Sequence, residues 1–128
     1  MRIRVVDSSP GFSVISRDWQ YESPRLTLRE LIEDRVRREV QTFNEHRPDV
    51  YRGLVQPEES EQILNGYRMK RVRELDPEQE CARAVKAFEN NAFLVFAGGK
   101  QLDSLEDEID LESAGELEFV RLIPLIGG

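Results

Sequence analysis

A stripe of apolar residues at helical spacing constrains the fold of this chain more than any other feature. Thr27 is followed three residues later by Glu30, which is the capping box typical of a helix N-terminus. A helix with one apolar face must bury that face against another element. The sequence therefore predicts a long helix, ending at about residue 43, that packs on a sheet. Its apolar stripe is formed by Leu28, Leu31, Ile32, Val36, Val40 and Phe43.

The segment before this helix predicts a pair of strands. Apolar and polar residues alternate over about residues 2–7, which is the two-residue period of a strand. Turn-forming residues occupy positions 8–11, and a second strand begins with Phe12, Val14 and Ile15. We expect an antiparallel hairpin, which supplies the sheet that the helix needs.

The middle of the chain, about residues 44–76, is less regular and predicts only a short helix after Pro57 through Leu64. A second clear helix opens at Asp76-Pro77-Glu78, because proline fits the first helical position. Its predicted buried stripe consists of Cys81, Ala84, Val85 and Phe88, and Asn90-Asn91 ends it.

Two further strands are predicted near the C-terminal end. Residues 93–96 form a short apolar run that leads into a sharp bend at Gly98-Gly99, and residues 116–123 form the last strand. We expect this last strand to lie at the centre of the sheet, beside the first strand and parallel to it. The predicted fold class is α+β, in the arrangement of a β-grasp sheet with a long helix across it and an inserted helical segment at about 44–91.

Composition indicates a single domain of 128 residues with a net charge of −7. This charge argues against a nucleic-acid partner, and no apolar stretch approaches the length of a membrane span. The N-terminus lacks the apolar core of a signal peptide, and the single cysteine fits a reducing compartment, so we expect a cytoplasmic protein. Eight acidic residues and no basic one lie between Asp103 and Glu118, and Arg35, Arg37 and Arg38 cluster on the long helix. The acidic segment is a solvated face or steers basic partners.

The chain ends in Gly127-Gly128, directly after the predicted last strand and Pro124. Proline has no backbone N–H and ends the strand, and glycine gives the following tail little bulk and wide backbone freedom. Such a tail suits insertion of its terminal carboxylate into the active site of another protein. With nothing after Gly128 in the sequence, no maturation cut is expected.

Two segments resemble ubiquitin. Residues 93–102, Phe-Leu-Val-Phe-Ala-Gly-Gly-Lys-Gln-Leu, are similar to its strand-and-turn segment with one extra glycine, and residues 118–128 are similar to its last strand and diglycine tail. The first five residues are weakly similar to its first strand. The larger plan, with its insertion and its Pro-x-x-Gly-Gly ending, is similar to bacterial ubiquitin-like modifiers.

The resemblance implies a conjugation chemistry. An activating enzyme would use ATP and magnesium to adenylate the carboxylate of Gly128, which would pass as a thioester to a conjugating enzyme and then to an amine of a target protein. A deconjugating peptidase would reverse the attachment. The chain itself binds no cofactor and is not expected to be an enzyme. The tail residues that such enzymes would recognise are Pro124, Leu125, Ile126 and Gly127.

The resemblance also marks other residues as candidates. Val95 matches the surface-patch position of ubiquitin, and Val120 or Leu122 would lie beside it, although core packing is the alternative for Val95. Arg121 conflicts with strand alternation, unless it lies at the rim of the sheet or the strand slips by one residue. Lys100 is the candidate acceptor lysine, with plain solvation as the alternative.

Two other functions stay open. The ending Pro124 to Gly128 is also similar to β-grasp sulfur carriers, whose terminus becomes a thiocarboxylate, and a non-covalent β-grasp adaptor would use the sheet without the tail. No metal site is predicted, because the lone His46 has no second imidazole or thiolate near it in sequence. Cys81, on an apolar helical stripe, is expected to be a core residue.

Overall fold

The computed structural model of the protein describes residues 1–9, 14–63, 66–71 and 73–122. Within these residues there are three helices: α1 Leu28–His46, α2 Pro77–Glu89 and α3 Leu111–Ala114. The strands are β1 Arg2–Ser8, β2 Ile15–Gln20, β3 Arg25–Thr27, β4 Val50–Tyr51, β5 Ser60–Ile63, β6 Gly66–Met69, β7 Phe93–Ala97, β8 Lys100–Leu102, β9 Glu108–Asp110 and β10 Glu116–Arg121. The α+β class is confirmed.

The chain forms two compact units. The first unit comprises Met1–Glu30 together with the described part of Phe88–Gly128, and the second unit is Leu31–Ala87. The predicted insertion at about 44–91 overlaps the second unit, and the first turn of α1 belongs to the first unit.

A five-stranded mixed sheet organises the first unit, in the order β2-β1-β10-β7-β8. β1 pairs antiparallel with β2, which confirms the predicted hairpin, although Pro10 to Ser13 between them lie outside the described residues. β10 pairs parallel with β1 and antiparallel with β7, and β7 pairs antiparallel with β8. The prediction that the last strand lies centrally and parallel to the first is therefore confirmed.

The core of the first unit is formed by one face of this sheet. Its apolar side chains alternate with the strand period, as burial of a single face requires. Phe93 contacts Phe88 and Phe119, with ring centroids 5.8 and 6.3 Å apart. We call this buried face the inner face, and its central residues are Ile3, Val5, Phe93, Val95, Leu117 and Phe119.

The start of α1 is fixed by local and distant hydrogen bonds. The amide of Thr27 donates to Glu30 Oε1 at 2.9 Å and the amide of Glu30 donates to Thr27 Oγ1 at 3.2 Å, which confirms the capping box. The amides of Leu28 and Arg29 donate to the carbonyls of Asp107 and Leu105, both at 2.9 Å. These bonds occupy N–H groups that no helix can satisfy internally, and they hold the 103–107 loop against the first turn.

The second unit contains the rest of α1, most of α2 and a three-stranded sheet in the order β4-β6-β5. All six residues of the predicted α1 stripe are buried, and Phe43 contacts Tyr51 edge to face at 5.5 Å between ring centroids. In α2, the amide of Glu78 donates to Asp76 Oδ1 at 3.0 Å, which confirms the predicted start, and the helix ends at Glu89.

The prediction of a short helix after Pro57 through Leu64 is wrong. Residues 60–63 form β5, which pairs antiparallel with β6, and Leu64 lies outside the described residues. Glutamate, glutamine and serine here are compatible with a helix in isolation, but pairing with a distant strand determines the conformation. The inserted segment is therefore a mixed one, with three strands as well as α2.

Candidate functional site

β10 is the structural base of the candidate site. It lies between β1 and β7, and its register is continuous with both, from Glu116 opposite Arg4 to Arg121 opposite Phe93. The amide of Leu122 then donates to the carbonyl of Ala92 at 3.1 Å. Backbone pairing on two sides thus holds the chain up to Val120, and pairing on the β7 side alone continues to Leu122.

The residues proposed to react and to be recognised follow this point. Gly128, Gly127, Ile126, Leu125 and Pro124 lie outside the described residues, as does Ile123, so these predictions stay predictions. The predicted last strand of 116–123 is confirmed as far as Arg121.

The assignment of Val95 to an exposed patch is wrong. Its side chain has no exposed surface, and it lies opposite Phe119 on the inner face. The run from Phe93 to Phe96 is apolar on both faces, so alternation separates two sets of side chains without saying which set is buried. Phe93 and Phe119 are buried, and Val95 is buried because it lies on the same face.

The opposite face of the sheet, which we call the outer face, contains the side chains that sequence reasoning missed. Leu94 and Phe96 of β7 are partly exposed there, and Val120 lies opposite Leu94 and is also partly exposed. Leu122, 41% exposed, follows Val120 at the end of the strand. The accessible apolar residues of the outer face are therefore Val120 and Leu122 of the predicted patch, together with Leu94 and Phe96. Val95 is not among them.

Arg121 lies on the inner-face side of β10, as alternation from Leu117 and Phe119 requires. It is partly exposed, and the register of β10 with β1 and β7 shows no slip. Of the two explanations left open by the sequence, the rim position is the correct one.

Lys100 opens β8 directly after the tight turn of the β7–β8 hairpin, and it is exposed. The turn uses Gly98 and Gly99 with φ of 57° and 83°, and the amide of Gly98 donates to the carbonyl of Glu116 at 2.9 Å. The hairpin is thus fixed to the start of β10. Access to Lys100 fits both an acceptor and a solvated lysine.

The acidic segment from Asp103 to Glu118 is partly structural. Asp107 Oδ2 accepts from the amides of Asp103 and Ser104, both at 3.1 Å. Asp110 Oδ1 accepts from the amides of Glu112 and Ser113, and the bonds to Ser113 and Glu112, with Arg25 nearby, lower the pKa of the Asp110 carboxyl. These carboxylates stabilise turns and a helix end, which accounts for some of the charge in this segment.

The arginine cluster of α1 is bound by carboxylates within the second unit. Arg37 and Arg38 pair with Glu78 and Asp34 near the surface, at 3.1 and 2.8 Å. Arg35 is buried and pairs at 3.3 Å with Glu39, whose side chain is 6% exposed. The four-residue spacing of Arg35 and Glu39 is a sequence signal for an ion pair, but nothing in it indicates burial.

Cys81 and His46 each bond to the main chain of α1. Cys81 Sγ donates to the carbonyl of Glu33 at 3.5 Å, and burial raises the pKa of the thiol to about 11. His46 Nδ1 donates to the carbonyl of Thr42 at 3.1 Å. Cys81 is a core residue, as expected from its stripe.

The described residues contain no group of three or more histidine, cysteine, aspartate and glutamate side chains that could hold a metal ion. None of the helices in the same residues is both long enough and apolar enough to cross a membrane. Comparison with known proteins finds no family model, no curated protein and no solved structure that matches the chain.

Proposed function

We propose that the chain has the β-grasp fold and acts as a ubiquitin-like modifier attached to targets through Gly128. The observation that supports this best is the parallel pairing of β10 with β1 at the centre of the sheet, in the order β2-β1-β10-β7-β8. A tail that follows a strand bonded on both sides starts from a fixed position. The six residues after Leu122 end in the two glycines that suit a narrow active-site channel.

The proposed chemistry takes place in partner enzymes. The Gly128 carboxylate attacks the α-phosphorus of magnesium-bound ATP, and pyrophosphate leaves. A cysteine thiolate of the activating enzyme displaces AMP and forms a thioester, which is exchanged onto the conjugating enzyme. A target amine then displaces that thiolate and forms the amide. The chain supplies the acyl group, and Pro124, Leu125, Ile126 and Gly127 are the residues for the enzymes to recognise.

Mass spectrometry of the chain from its native host tests this function. We would purify an N-terminally tagged chain under denaturing conditions and digest it with trypsin. Arg121 is the last cleavage site, so a conjugated lysine keeps the remnant Leu-Ile-Pro-Leu-Ile-Gly-Gly, residues 122–128. The tag is tolerable because the Met1 nitrogen donates to the Tyr21 carbonyl, and an amide N–H at that nitrogen can do the same.

A tagged chain that lacks Gly127 and Gly128 is the matched control. The remnant on other proteins, found with the full chain and absent with the control, supports the modifier. A terminus in which sulfur replaces oxygen would instead establish a sulfur carrier. A plain carboxylate throughout, together with full cellular activity of the control, would establish a non-covalent adaptor. Every comparison of the full chain with this control requires that the two have equal free energies of unfolding.

A further inference from the structure

β2 is an edge of the five-stranded sheet, and its main chain is open on one side. In the described part of the sheet its neighbour is β1 alone. Met1 and Tyr21, just beyond the paired residues, exchange hydrogen bonds from nitrogen to carbonyl oxygen in both directions, at 2.6 and 2.7 Å. Bonded and non-bonded pairs alternate in an antiparallel ladder, and the register with β1 is unbroken, so the N–H and C=O groups of Ser16 and Asp18 point away from β1. Both residues are exposed.

Exposed apolar side chains lie at the start of this edge. Among the described residues three large apolar side chains are exposed, and two of them are Val14 and Ile15, at 65% and 55%. Trp19 lies on the same face of β2 as Ile15 and is partly exposed. Neighbouring apolar side chains without cover, beside unpaired main-chain groups, are typical of a surface that another strand covers.

The charges of β2 are compensated within the chain. Arg17 Nη2 lies 2.8 Å from Asp7 Oδ2, and Arg17 Cζ lies 5.5 Å from the centre of the Trp19 ring. Asp18 lies opposite Arg4 in the register of β1 and β2. Charged side chains normally protect a sheet edge, because they repel an approaching edge of like charge. Here each charge has a counter-charge nearby, so two copies of β2 can approach each other in spite of the net charge of −7.

The residue order of β2 is self-complementary. Residues opposite each other in an antiparallel pair lie on the same face, so the two-fold axis of a symmetric pair passes through one residue. With the axis at Arg17, Ser16 would lie opposite Asp18 of the second copy, and its hydroxyl would donate to that carboxylate. Ile15 would lie opposite Trp19 of the second copy, which is the kind of aliphatic–aromatic pair that stabilises sheets. Both contacts would occur twice.

Other registers fit less well. An axis at Asp18 would place two carboxylates directly opposite each other, and like charges in that position are destabilising. An axis at Ser16 would place Ile15 opposite Arg17 instead of an aromatic ring. With the axis at Arg17 the two guanidinium groups also face each other, but each is already paired with its own Asp7.

We propose that two copies of the chain associate through β2, antiparallel and about a two-fold axis at Arg17, so that their five-stranded sheets join into one sheet of ten strands. The outward N–H and C=O groups of Ser16 and Asp18 then bond to those of the second copy. An interface of one strand from each copy is small, so the association is weak and reversible. It uses no residue of the tail and does not depend on the proposed function.

The pairing also fixes the relative direction of the two copies of β10. β10 is parallel to β1 and hence antiparallel to β2, and the two-fold axis reverses every strand of the second copy. The two copies of Arg121 therefore lie at opposite ends of the joint sheet. For the proposed function, on which this consequence rests, dimerisation keeps the starts of the two tails apart from each other.

Sedimentation velocity of the full chain tests the association, at concentrations from about 10 µM to about 1 mM because small interfaces are weak. Salt at about 0.15 M screens the repulsion between the copies. The test variant is Ser16→Pro, which removes an outward N–H group and no hydrogen bond to β1. The matched control is Gln101→Pro, at an exposed position of β8, the other outer strand of the described sheet. Ala97 and Lys100 close a two-residue turn as a bonded pair, so the main-chain groups of Gln101 also point outward.

Disulfide cross-linking tests the register. Ser16→Cys and Asp18→Cys are prepared separately, each together with Cys81→Ala so that the introduced thiol is the only one. In the proposed register the Cα atoms of position 16 and of position 18 in the second copy are about 5.5 Å apart, which a disulfide can bridge. The two copies of position 16, or of position 18, are more than about 7 Å apart and out of reach. Only a mixture of the two variants should therefore cross-link under mild oxidation.

We expect the average mass to rise with concentration for the wild type and for Gln101→Pro. Ser16→Pro should raise the Kd of the dimer at least about tenfold, since the symmetry removes two hydrogen bonds at once. The mixed cysteine variants should cross-link at least about tenfold faster than either variant alone. If Ser16→Pro lowers the free energy of unfolding more than Gln101→Pro does, the cross-linking comparison alone decides.

The mass of a monomer at every concentration, equal effects of the two proline variants, or equally fast cross-linking of Asp18→Cys alone would overturn the proposal. A chain without Gly127 and Gly128 should associate with an unchanged Kd, so failure of the conjugation test leaves this result standing.

Discussion

At the scale of single residues, the pair Arg35 and Glu39 shows how α1 accommodates charge in a core. Both side chains are almost completely buried, and Glu39 Oε1 also accepts from the amide of Leu54 at 3.1 Å. A buried pair offers little net stability over apolar residues of equal volume, but removal of one partner leaves a charge without compensation. The pair therefore adds little net stability, although the loss of either partner alone is costly.

The prediction for this pair is that a second substitution restores part of the stability lost through the first. Arg35→Met should lower the free energy of unfolding by about 3–5 kcal/mol, and Arg35→Met/Glu39→Met should recover part of that loss. Arg38→Met is the control, because Arg38 has the same spacing to Asp34 at the surface, and it should cost at most about 0.5 kcal/mol. Urea unfolding measures all three. A loss for Arg35→Met as small as that for Arg38→Met would contradict burial of the pair.

Cys81 predicts a pH dependence of stability. Burial raises the pKa of its thiol from about 9 to about 11, so between these values the unfolded chain loses a proton that the folded chain keeps. Stability must then fall as the pH rises through this range. Urea midpoints at pH 8 and pH 10.5 should differ more for the wild type than for Cys81→Ala. Equal differences in the two proteins would contradict a raised thiol pKa.

At the scale of elements, the β7–β8 turn depends on two glycines in different surroundings. Both have positive φ, but a Cβ on Gly98 would lie 3.0 Å from the carbonyl oxygen of Ala114, whereas a Cβ on Gly99 would meet no atom within 4 Å. A side chain at position 98 would therefore be disfavoured by the positive φ and by the contact with Ala114. A side chain at position 99 would be disfavoured by the positive φ alone.

We expect Gly99→Ala to lower the free energy of unfolding by about 1 kcal/mol, the usual cost of positive φ for a residue with a side chain. Gly98→Ala should cost about 1 kcal/mol more, because it also presses on Ala114 and strains the bond from the Gly98 amide to Glu116. Thermal and urea unfolding of the two variants measure the difference. An equal or larger loss for Gly99→Ala would show that the contact with Ala114 has no effect.

Elements with local signals were predictable, and elements that depend on distant pairing were not. The capping box at Thr27 and the Asp76-Pro77 start each define a helix within a few residues. The local sequence of β5 is compatible with a helix. The segment is a strand because it pairs with β6, and the local sequence does not show this pairing. The prediction of which face of β7 is exposed is wrong for the same reason, since only the neighbours across the sheet decide which side of an apolar strand is buried.

At the scale of the whole molecule, charge is distributed unevenly between the two units. The segments 1–30 and 88–128 contain thirteen acidic and seven basic residues, whereas 31–87 contain twelve and eleven. The net charge of −7 therefore belongs almost entirely to the unit with the five-stranded sheet. The acidic segment 103–118 is visible in the sequence, but the division of charge between two units required the fold.

The strand order of the first unit makes a prediction that joins the fold to the proposed function. β10 has a neighbour on each side, whereas β2 and β8 are the outer strands of the described sheet. Amides of a strand bonded on both sides are released only by large openings of the structure, and those at an edge by small ones. In native-state hydrogen exchange, we expect Leu117–Val120 to exchange at least about tenfold more slowly than Lys100–Leu102.

β7 supplies the internal control, since it is also central at Val95 and Phe96 and should exchange as slowly as β10. If Leu117–Val120 exchanged as fast as β8 while Val95 stayed protected, β10 would detach from the sheet on its own. The residues after Leu122 would then start from a mobile strand, and the proposal that the sheet presents Gly128 from a fixed base would lose its structural support. Slow exchange of both strands would mean that Leu122 keeps a constant position relative to the outer face, so that the activating enzyme of the proposed function could recognise Val120 and Leu122 together.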